Sequence, residues 1–326
     1  MPEWTAIELI GESAAIRRAR ELLDRAAAVD TAVLLVGGPG TDLHGVARDL
    51  HAQRTGATSL QRDDRTPLVH VACAGRDAPA LDRDLFGTAA DPTAGDLEAI
   101  TPDSRIAAAR RGTLFLDEIT DLPSGAQARL ARILRDGEVR MHGARVQTAF
   151  RVIGGAAPAI DEEVHAQRFR ADLYRRVSAT RVDVPPLRDR CDDVPALAAR
   201  ILAELAQGGR PRSFTQAALA LLSAMTWSGN LSELRDAIAR IAGATNDETM
   251  QIEHVLPVLQ LDRPAAAFVP AGSLRDARLR FERDYIAAVL QHHGWRMADA
   301  AQTLGIQRPN LYRKARQLGI PIVGID

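Results

Sequence analysis

The sequence predicts an α/β fold: a parallel β-sheet covered by helices, then a helical segment, then a terminal unit built around two short helices. Three observations carry this. Short apolar segments at 33–36, 68–71, 113–116 and 152–154 alternate with helical periodicity at 43–53, 80–86, 124–136 and 162–176, the pattern of a parallel sheet buried on both faces. Val184-Pro185-Pro186-Leu187 ends the alternation, because consecutive prolines stop both a helix and a central strand. Close to the C-terminus, a glycine turn separates two short stretches of helical spacing.

In chain order, residues 1–30 hold an amphipathic helix with Ile16, Leu22 and Leu23 on one face and arginines on the other. The sheet and its helices follow, up to about residue 186. From 187 to about 258 the sequence reads as helix throughout, with Thr215 as an N-cap and Gly229-Asn230 as a turn. The Pro/Ala-rich stretch 262–272 reads as a linker. Leu274, Phe281, Tyr285, Ile286, Val289 and Leu290 then recur at helical spacing along a long helix. After Gly294-Trp295 come a short helix at 297–304, a turn at Gly305-Ile306 and a helix at 309–317. Pro309 suits the first turn of that helix, where its missing N–H is not needed, and Gly319 suits its end.

The 326 residues suffice for two or three domains, and the net charge of −1 points to no acidic or basic partner for the chain as a whole. Arginine carries almost all the basic charge, a compositional bias that goes with the abundant alanine. Cys73 and Cys191 lack metal-ligand spacing and read as small buried residues of a reducing compartment. No apolar run approaches membrane-spanning length and no basic, apolar leader opens the chain, so a cytoplasmic protein is expected, with no membrane partner and no metal site.

Two motifs carry chemistry. At Gly37-Gly38-Pro39-Gly40-Thr41-Asp42-Leu43-His44 an apolar strand enters a glycine-rich turn and then a helix, the layout of a phosphate-binding loop. Gly37, Gly40 and Thr41 hold their places in it. Asp42 stands where the second glycine belongs and Leu43 where the phosphate-reaching lysine belongs; the one lysine of the chain is Lys314. Gly112-Thr113-Leu114-Phe115-Leu116-Asp117-Glu118-Ile119 is a buried strand ending in two carboxylates. In a nucleotide hydrolase the first helps to hold Mg²⁺ and the second polarises the attacking water. An apolar strand closed by solvated acids is the alternative.

On these residues the chain resembles the central domain of the sigma-54-dependent enhancer-binding regulators, an AAA+ family. Ile10-Gly11-Glu12-Ser13, Asp84-Leu85-Phe86-Gly87, the strand 112–119 and Gln127, Arg129 and Leu130 follow the family order. So do Phe169-Arg170-Ala171-Asp172-Leu173-Tyr174-Arg175-Arg176, Pro185-Pro186-Leu187-Arg188-Asp189-Arg190 and Trp227-Ser228-Gly229-Asn230. The resemblance implies an AAA+ α/β subdomain at 1–186, a helical lid at 187–260, a linker at 261–272 and a helix-turn-helix domain at 273–326. It places Arg170 and Arg176 where neighbouring subunits present arginine fingers. Salt bridges and helix ends of a subunit interface are the alternative role for these two and for Asp117 and Glu118. No receiver domain is expected ahead of the AAA+ segment, and so no control by phosphorylation of this chain.

The departures from the family fall on the chemistry. Besides Leu43, the usual V-N-C reads Val71-Ala72-Cys73, the sensor segment reads Gly154-Gly155-Ala156-Ala157 without its asparagine, and the lid arginine is Ser232. The loop after Gly87, whose phenylalanine and threonine touch sigma-54 in relatives, runs Thr88-Ala89-Ala90-Asp91-Pro92-Thr93-Ala94-Gly95-Asp96 with no aromatic residue. ATP and Mg²⁺ are implied by the resemblance, and Leu43, Ala157 and Ser232 argue against them.

Ala300-Ala301-Gln302-Thr303-Leu304-Gly305-Ile306 and Leu311-Tyr312-Arg313-Lys314 resemble the Fis-type helix-turn-helix that ends most of these regulators. Double-stranded DNA is the implied partner, through Arg308, Asn310, Tyr312, Arg313, Lys314 and Arg316, with the preceding helix pairing two copies. The reading is a DNA-binding regulator on an AAA+ scaffold that no longer hydrolyses ATP or engages sigma-54 in the usual way. It assembles as a homo-oligomer, a dimer through its C-terminal domain or a ring, with RNA polymerase as a further partner. The alternatives are an active sigma-54-dependent ATPase, a regulator that senses a nucleotide or second messenger without cleaving it, and an inactive member of a mixed ring.

Overall fold

The computed structural model describes residues 4–55, 66–88, 97–206, 211–261, 286, 289–290, 295–304, 306–318 and 320. The chain divides into two compact units, Met1–Gln260 and Leu261–Asp326.

In the first unit a five-stranded parallel sheet is ordered β2-β3-β6-β1-β7, with β1 Val33–Val36, β2 Leu68–Ala72, β3 Thr113–Asp117, β6 Arg151–Ala156 and β7 Thr180–Asp183. Every residue of β1 and β6 is buried, as expected of central strands covered on both faces. The helices are α1 (Ala14–Ala27), α2 (Leu43–Thr55), α3 (Ala78–Phe86), α4 (Arg105–Ala108), α5 (Ser124–Asp136), α6 (Ile160–His165) and α7 (Ala171–Val177). Leu34, Leu114, Leu116 and Ile119 pack with Leu85, Phe86 and Leu130 in one core, while Leu35, Phe115 and Ile153 pack with Ile16, Leu23 and Leu50 in another. Strands β1, β3 and β6 thereby align their C-terminal ends, where open α/β sheets hold ligands.

Five expectations need correction, the last of them in the lid. The stretch 162–176 is two helices: Gln167 takes a left-handed φ of 59°, and the amides of Arg168 and Phe169 both donate back to the carbonyl of Glu163, which closes α6 before α7 begins. A fifth strand, β7, was missed because Thr180-Arg181-Val182-Asp183 is a half-exposed edge with one fully buried residue. A hairpin of β4 (Glu138–Met141) and β5 (Ala144–Gln147) follows α5, turning on His142 and Gly143 at φ 52° and 79°. Cys191 is exposed, at the start of a short 3-10 turn; Cys73 is buried, and burial pushes its thiol up to about 12.

The lid comprises α8 (Val194–Ala206), α9 (Gln216–Ser223), α10 (Asn230–Ala244) and α11 (Ile252–Leu261). It is not wholly helical: Ser213–Phe214 and Thr249–Met250 pair as short parallel strands. Thr215 caps α9, its hydroxyl accepting from the amide of Ala218. The loop 89–96 and the linker 262–272 lie outside the described residues, as does most of the long helix before residue 290.

Within the second unit, Met297–Thr303 and Arg308–Gln317 are helices, and Ile286, Leu290, Met297, Ala300, Leu311 and Ala315 form its core. Among the described residues no helix is long and apolar enough to cross a membrane.

Candidate functional site: a self-satisfied phosphate loop and a basic helix

A cleft of about 350 Å³ opens at the ends of β1, β3 and β6, between the loop 37–42 and the residues after β3. Gly37, Gly40, Thr41, Asp117 and Glu118 all line it, so the structure brings the two sequence motifs together. Asp42 and Asp121 add two more carboxylates, and no lysine or arginine is among the lining residues.

Four amides of the loop and helix start are spent on the chain itself. Gly37 N donates to the carbonyl of Ala156 at 3.0 Å, Thr41 N to Gly38 O at 3.2 Å and Leu43 N to Thr41 O at 2.9 Å. Asp42 N donates to Glu8 Oε2 at 3.0 Å. Asp42 is also the N-cap of α2, its Oδ1 accepting from Gly45 N at 2.8 Å. A Cβ on Gly45 would stand 2.4 Å from Asp42 Oδ2, so the carboxylate lies over the helix start in a space that only glycine leaves. That start is where a helix favours an anion. Here the anion is supplied in cis.

Leu43 lines the cleft but brings it no charge. Its side chain is buried in the core with Leu35, Val46 and Phe115, turned back so that its Cδ2 would lie 2.9 Å from a Cβ on Gly37.

The residues supporting the loop are fixed by buried polar contacts. Glu8 and Arg190 form an ion pair with both side chains sealed from solvent, and Arg190 Nη1 also donates to the carbonyl of Glu8. Burial pushes the Glu8 carboxyl above its ordinary range against the pull of Arg190. From the lid, Asn230 donates through Nδ2 to Pro39 O at 2.8 Å and accepts through Oδ1 from Leu187 N at 3.0 Å. The amide of Ser232 donates to Gly40 O at 3.0 Å. The position of the lid arginine is therefore a backbone clasp on the loop. Gly40 permits this approach, since a Cβ there would stand 2.0 Å from Gly229 O.

Asp117 closes β3, half-buried, with Oδ2 3.7 Å from Nε2 of His70. The His70 ring stacks on His44 at a centroid distance of 4.4 Å, and both lie against Phe115. Burial, and then the neighbouring His70, hold His44 below the ordinary histidine range. Glu118 follows in a left-handed conformation, φ 50°, and is exposed at the cleft. Ala157 lines the cleft with no polar side chain, and Ala72 ends β2, exposed.

Neither Arg170 nor Arg176 lines this cleft within the chain. Arg170 is tied to Asp172 through two contacts of 3.0 and 2.9 Å, and its amide donates to Gln127 Oε1. Arg176 lines a different cleft, at the other end of the sheet.

In the terminal unit, Leu311 and Ala315 are buried while Arg308, Asn310, Tyr312, Arg313 and Arg316 are exposed and Lys314 is half-buried. At 3.6 residues per turn, Arg313 points about 180° from the buried face. Arg313 Nη2 donates to Asn310 Oδ1 at 3.2 Å, and the Arg308 guanidinium lies 5.8 Å from the centre of the Tyr312 ring.

The family pattern of the Sigma-54 interaction domain matches residues 9–183. The chain belongs to that family. The AAA+ ATPase lid domain matches residues 188–268, and the Fis family of bacterial regulatory proteins matches 278–318. Among curated relatives, the nitric oxide reductase transcription regulator NorR2 of Cupriavidus necator is 36% identical over 342 residues, covering 96% of this chain and 63% of its own length. The Nif-specific regulatory protein of Azotobacter vinelandii is 31% identical over 318 residues, covering 96% of this chain and 59% of itself. The chain thus spans about three fifths of the length of those two relatives. The crystal structure of NtrX from Brucella abortus in complex with ATP aligns with a TM-score of 0.71 and 28% identity, over 95% of this chain and 69% of that one. RuvB of Thermotoga maritima, at 13% identity and a TM-score of 0.53, shares the fold alone.

Glu8 and the histidine stack were not singled out from the sequence, and Arg190 appeared there only as the end of the Pro185–Arg190 motif, without its partner. For Asp42 the signal was present: an aspartate directly before a helix is an N-cap.

Proposed function

We propose that this sigma-54-family chain regulates transcription by binding duplex DNA, and that its AAA+ domain acts as a scaffold that does not hydrolyse ATP. One observation carries the second half. The seats that an ATP phosphate chain needs are filled from within: Asp42 caps the helix start, the amides of Thr41, Asp42 and Leu43 are bonded internally, and Leu43 is core. These residues do not fit a nucleoside triphosphate, whose negative charge would meet Asp42, Asp117, Glu118 and Asp121 with no lysine or arginine among the lining residues. Asp117 and Glu118 are then inherited structure, and no reaction step runs through them.

The DNA half rests on the exposed face of the Arg308–Gln317 helix, carried by a core that leaves Arg308, Asn310, Arg313 and Arg316 outside. Arginine can read guanine and asparagine adenine in the major groove, with the other cations on phosphates. Two copies joined through the terminal unit read two half-sites, with RNA polymerase as the downstream partner in the cytoplasm. The polar sequence of the loop after Gly87 supports a mode of action other than gripping sigma-54. A footprint on promoter DNA without nucleotide, run beside steady-state ATP turnover, tests both halves. Protection with no turnover is expected. Turnover that disappears in Glu118→Gln ends the proposal.

A further inference from the structure

A second cleft, of about 360 Å³, lies at the opposite end of the same sheet. Arg151, the first residue of β6, lines it, whereas Ala156, the last, lines the phosphate-loop cleft. Five strand steps separate the two, about 17 Å.

Arg151 is 3% exposed and has no carboxylate partner among the described residues. Its Nε donates to Thr31 O at 2.8 Å and its Nη2 to Ala26 O at 2.7 Å, both neutral carbonyls, while Nη1 is buried with no hydrogen-bond partner. A buried charge without a counter-ion is costly. Nearby carboxylates are engaged elsewhere: Asp30, which also lines the cleft, pairs with Arg54 at 3.1 Å, and Asp136 pairs with Arg135 at 2.7 Å. Arg175 and Arg176, at the end of α7, bring two more guanidinium groups to the same cleft. Leu134, Phe150 and Val152 supply an apolar wall. Three arginines beside a half-buried aromatic ring thus surround a space with one carboxylate, itself already paired.

We propose that this cleft binds a small phosphate ester carrying a flat apolar group. Arg175 and Arg176 take the phosphate oxygens through their guanidinium forks, the geometry arginine matches best. The flat group lies against Phe150. Arg151, sealed beneath and without a direct ion pair, contributes its charge through the floor of the cleft rather than by contact. The site owes nothing to the degenerate phosphate loop and stands whether or not that loop binds nucleotide.

The test is calorimetry on the full chain at constant ionic strength, with phenyl phosphate and inorganic phosphate as probes. Saturable binding of both is expected, tighter for phenyl phosphate, with Arg175→Ala/Arg176→Ala at least tenfold weaker for both. Phe150→Leu should weaken phenyl phosphate while leaving inorganic phosphate unchanged. Arg151→Lys, which keeps a charge where a neutral residue could unfold the chain, should retain measurable binding. Absence of saturable heat, or equal affinity in the double arginine variant with an unchanged melting profile, overturns the proposal. So does self-association in sedimentation that the double variant abolishes without any probe binding, which would assign the cleft to a second copy.

Discussion

The pair formed by Glu8 and Arg190 offers a sharp energetic test, because it anchors the phosphate loop through the Asp42 amide and both its side chains are out of water. Removing one member of a buried ion pair costs about 3–5 kcal/mol, whereas replacing both with apolar groups of similar size is close to neutral. Glu8→Gln keeps an acceptor for Asp42 N and removes only the charge, stranding Arg190, whose Nε already lacks a partner. For a unit of this size the loss corresponds to roughly 6–20 °C in melting temperature, at about 2–4 °C per kcal/mol. Arg190→Met leaves a carboxyl that burial already pushes upward. Its folded-state pKa then lies above the unfolded value of about 4.3, so stability is kept below that pH and lost as pH rises through the folded value. The double variant Glu8→Leu/Arg190→Met should recover most of either loss. Urea denaturation of all four forms at pH 5 and pH 8 measures this. Single variants that lose under 1 kcal/mol, or losses that simply add, would refute the buried-pair account.

Three further outcomes are expected. Asn230→Ala strands Leu187 N and Pro39 O and puts alanine at φ 49°, a loss of about 3–5 kcal/mol in chemical denaturation, of which Asn230→Gly should restore about 1 kcal/mol. His44 is held low, so wild-type stability should fall as pH drops below about 6.5, and a melting series from pH 8 to pH 5 should show His44→Phe, which keeps the ring stack, without that decline. Arg313→Ala should cost about 1–3 kcal/mol at a specific DNA site and change base preference at one position, whereas Arg316→Ala should chiefly lower the salt slope of binding.

The sheet was legible where strands are buried on both faces, because an unbroken apolar run needs no partner to be recognised: β1 lies at Val33–Val36 as read, and β3 extends the reading by one residue. The edge strand β7 was not, since Arg181 and Asp183 pair with each other at its surface and the segment reads as polar. The break between α6 and α7 turns on one backbone angle at Gln167, which no periodicity reveals. At the site, the loss of the lysine was plain from Leu43. Where its side chain goes was not, because that depends on Leu35 and Phe115 arriving from other elements. The tie from Asp42 to Glu8 spans 34 positions and the pair from Glu8 to Arg190 spans 182. Contacts of that reach exist only once the sheet and lid have assembled.

The central claim is that the phosphate loop carries its own anion and has no place for another. Calorimetric titration of the purified chain with ATP and Mg²⁺ tests it most directly. The account predicts no ATP binding that Gly40→Val weakens in the unaltered chain, and binding at the loop cleft only when Asp42→Gly and Leu43→Lys are introduced together. Saturable ATP binding by the unaltered chain, weakened by Gly40→Val, would contradict it.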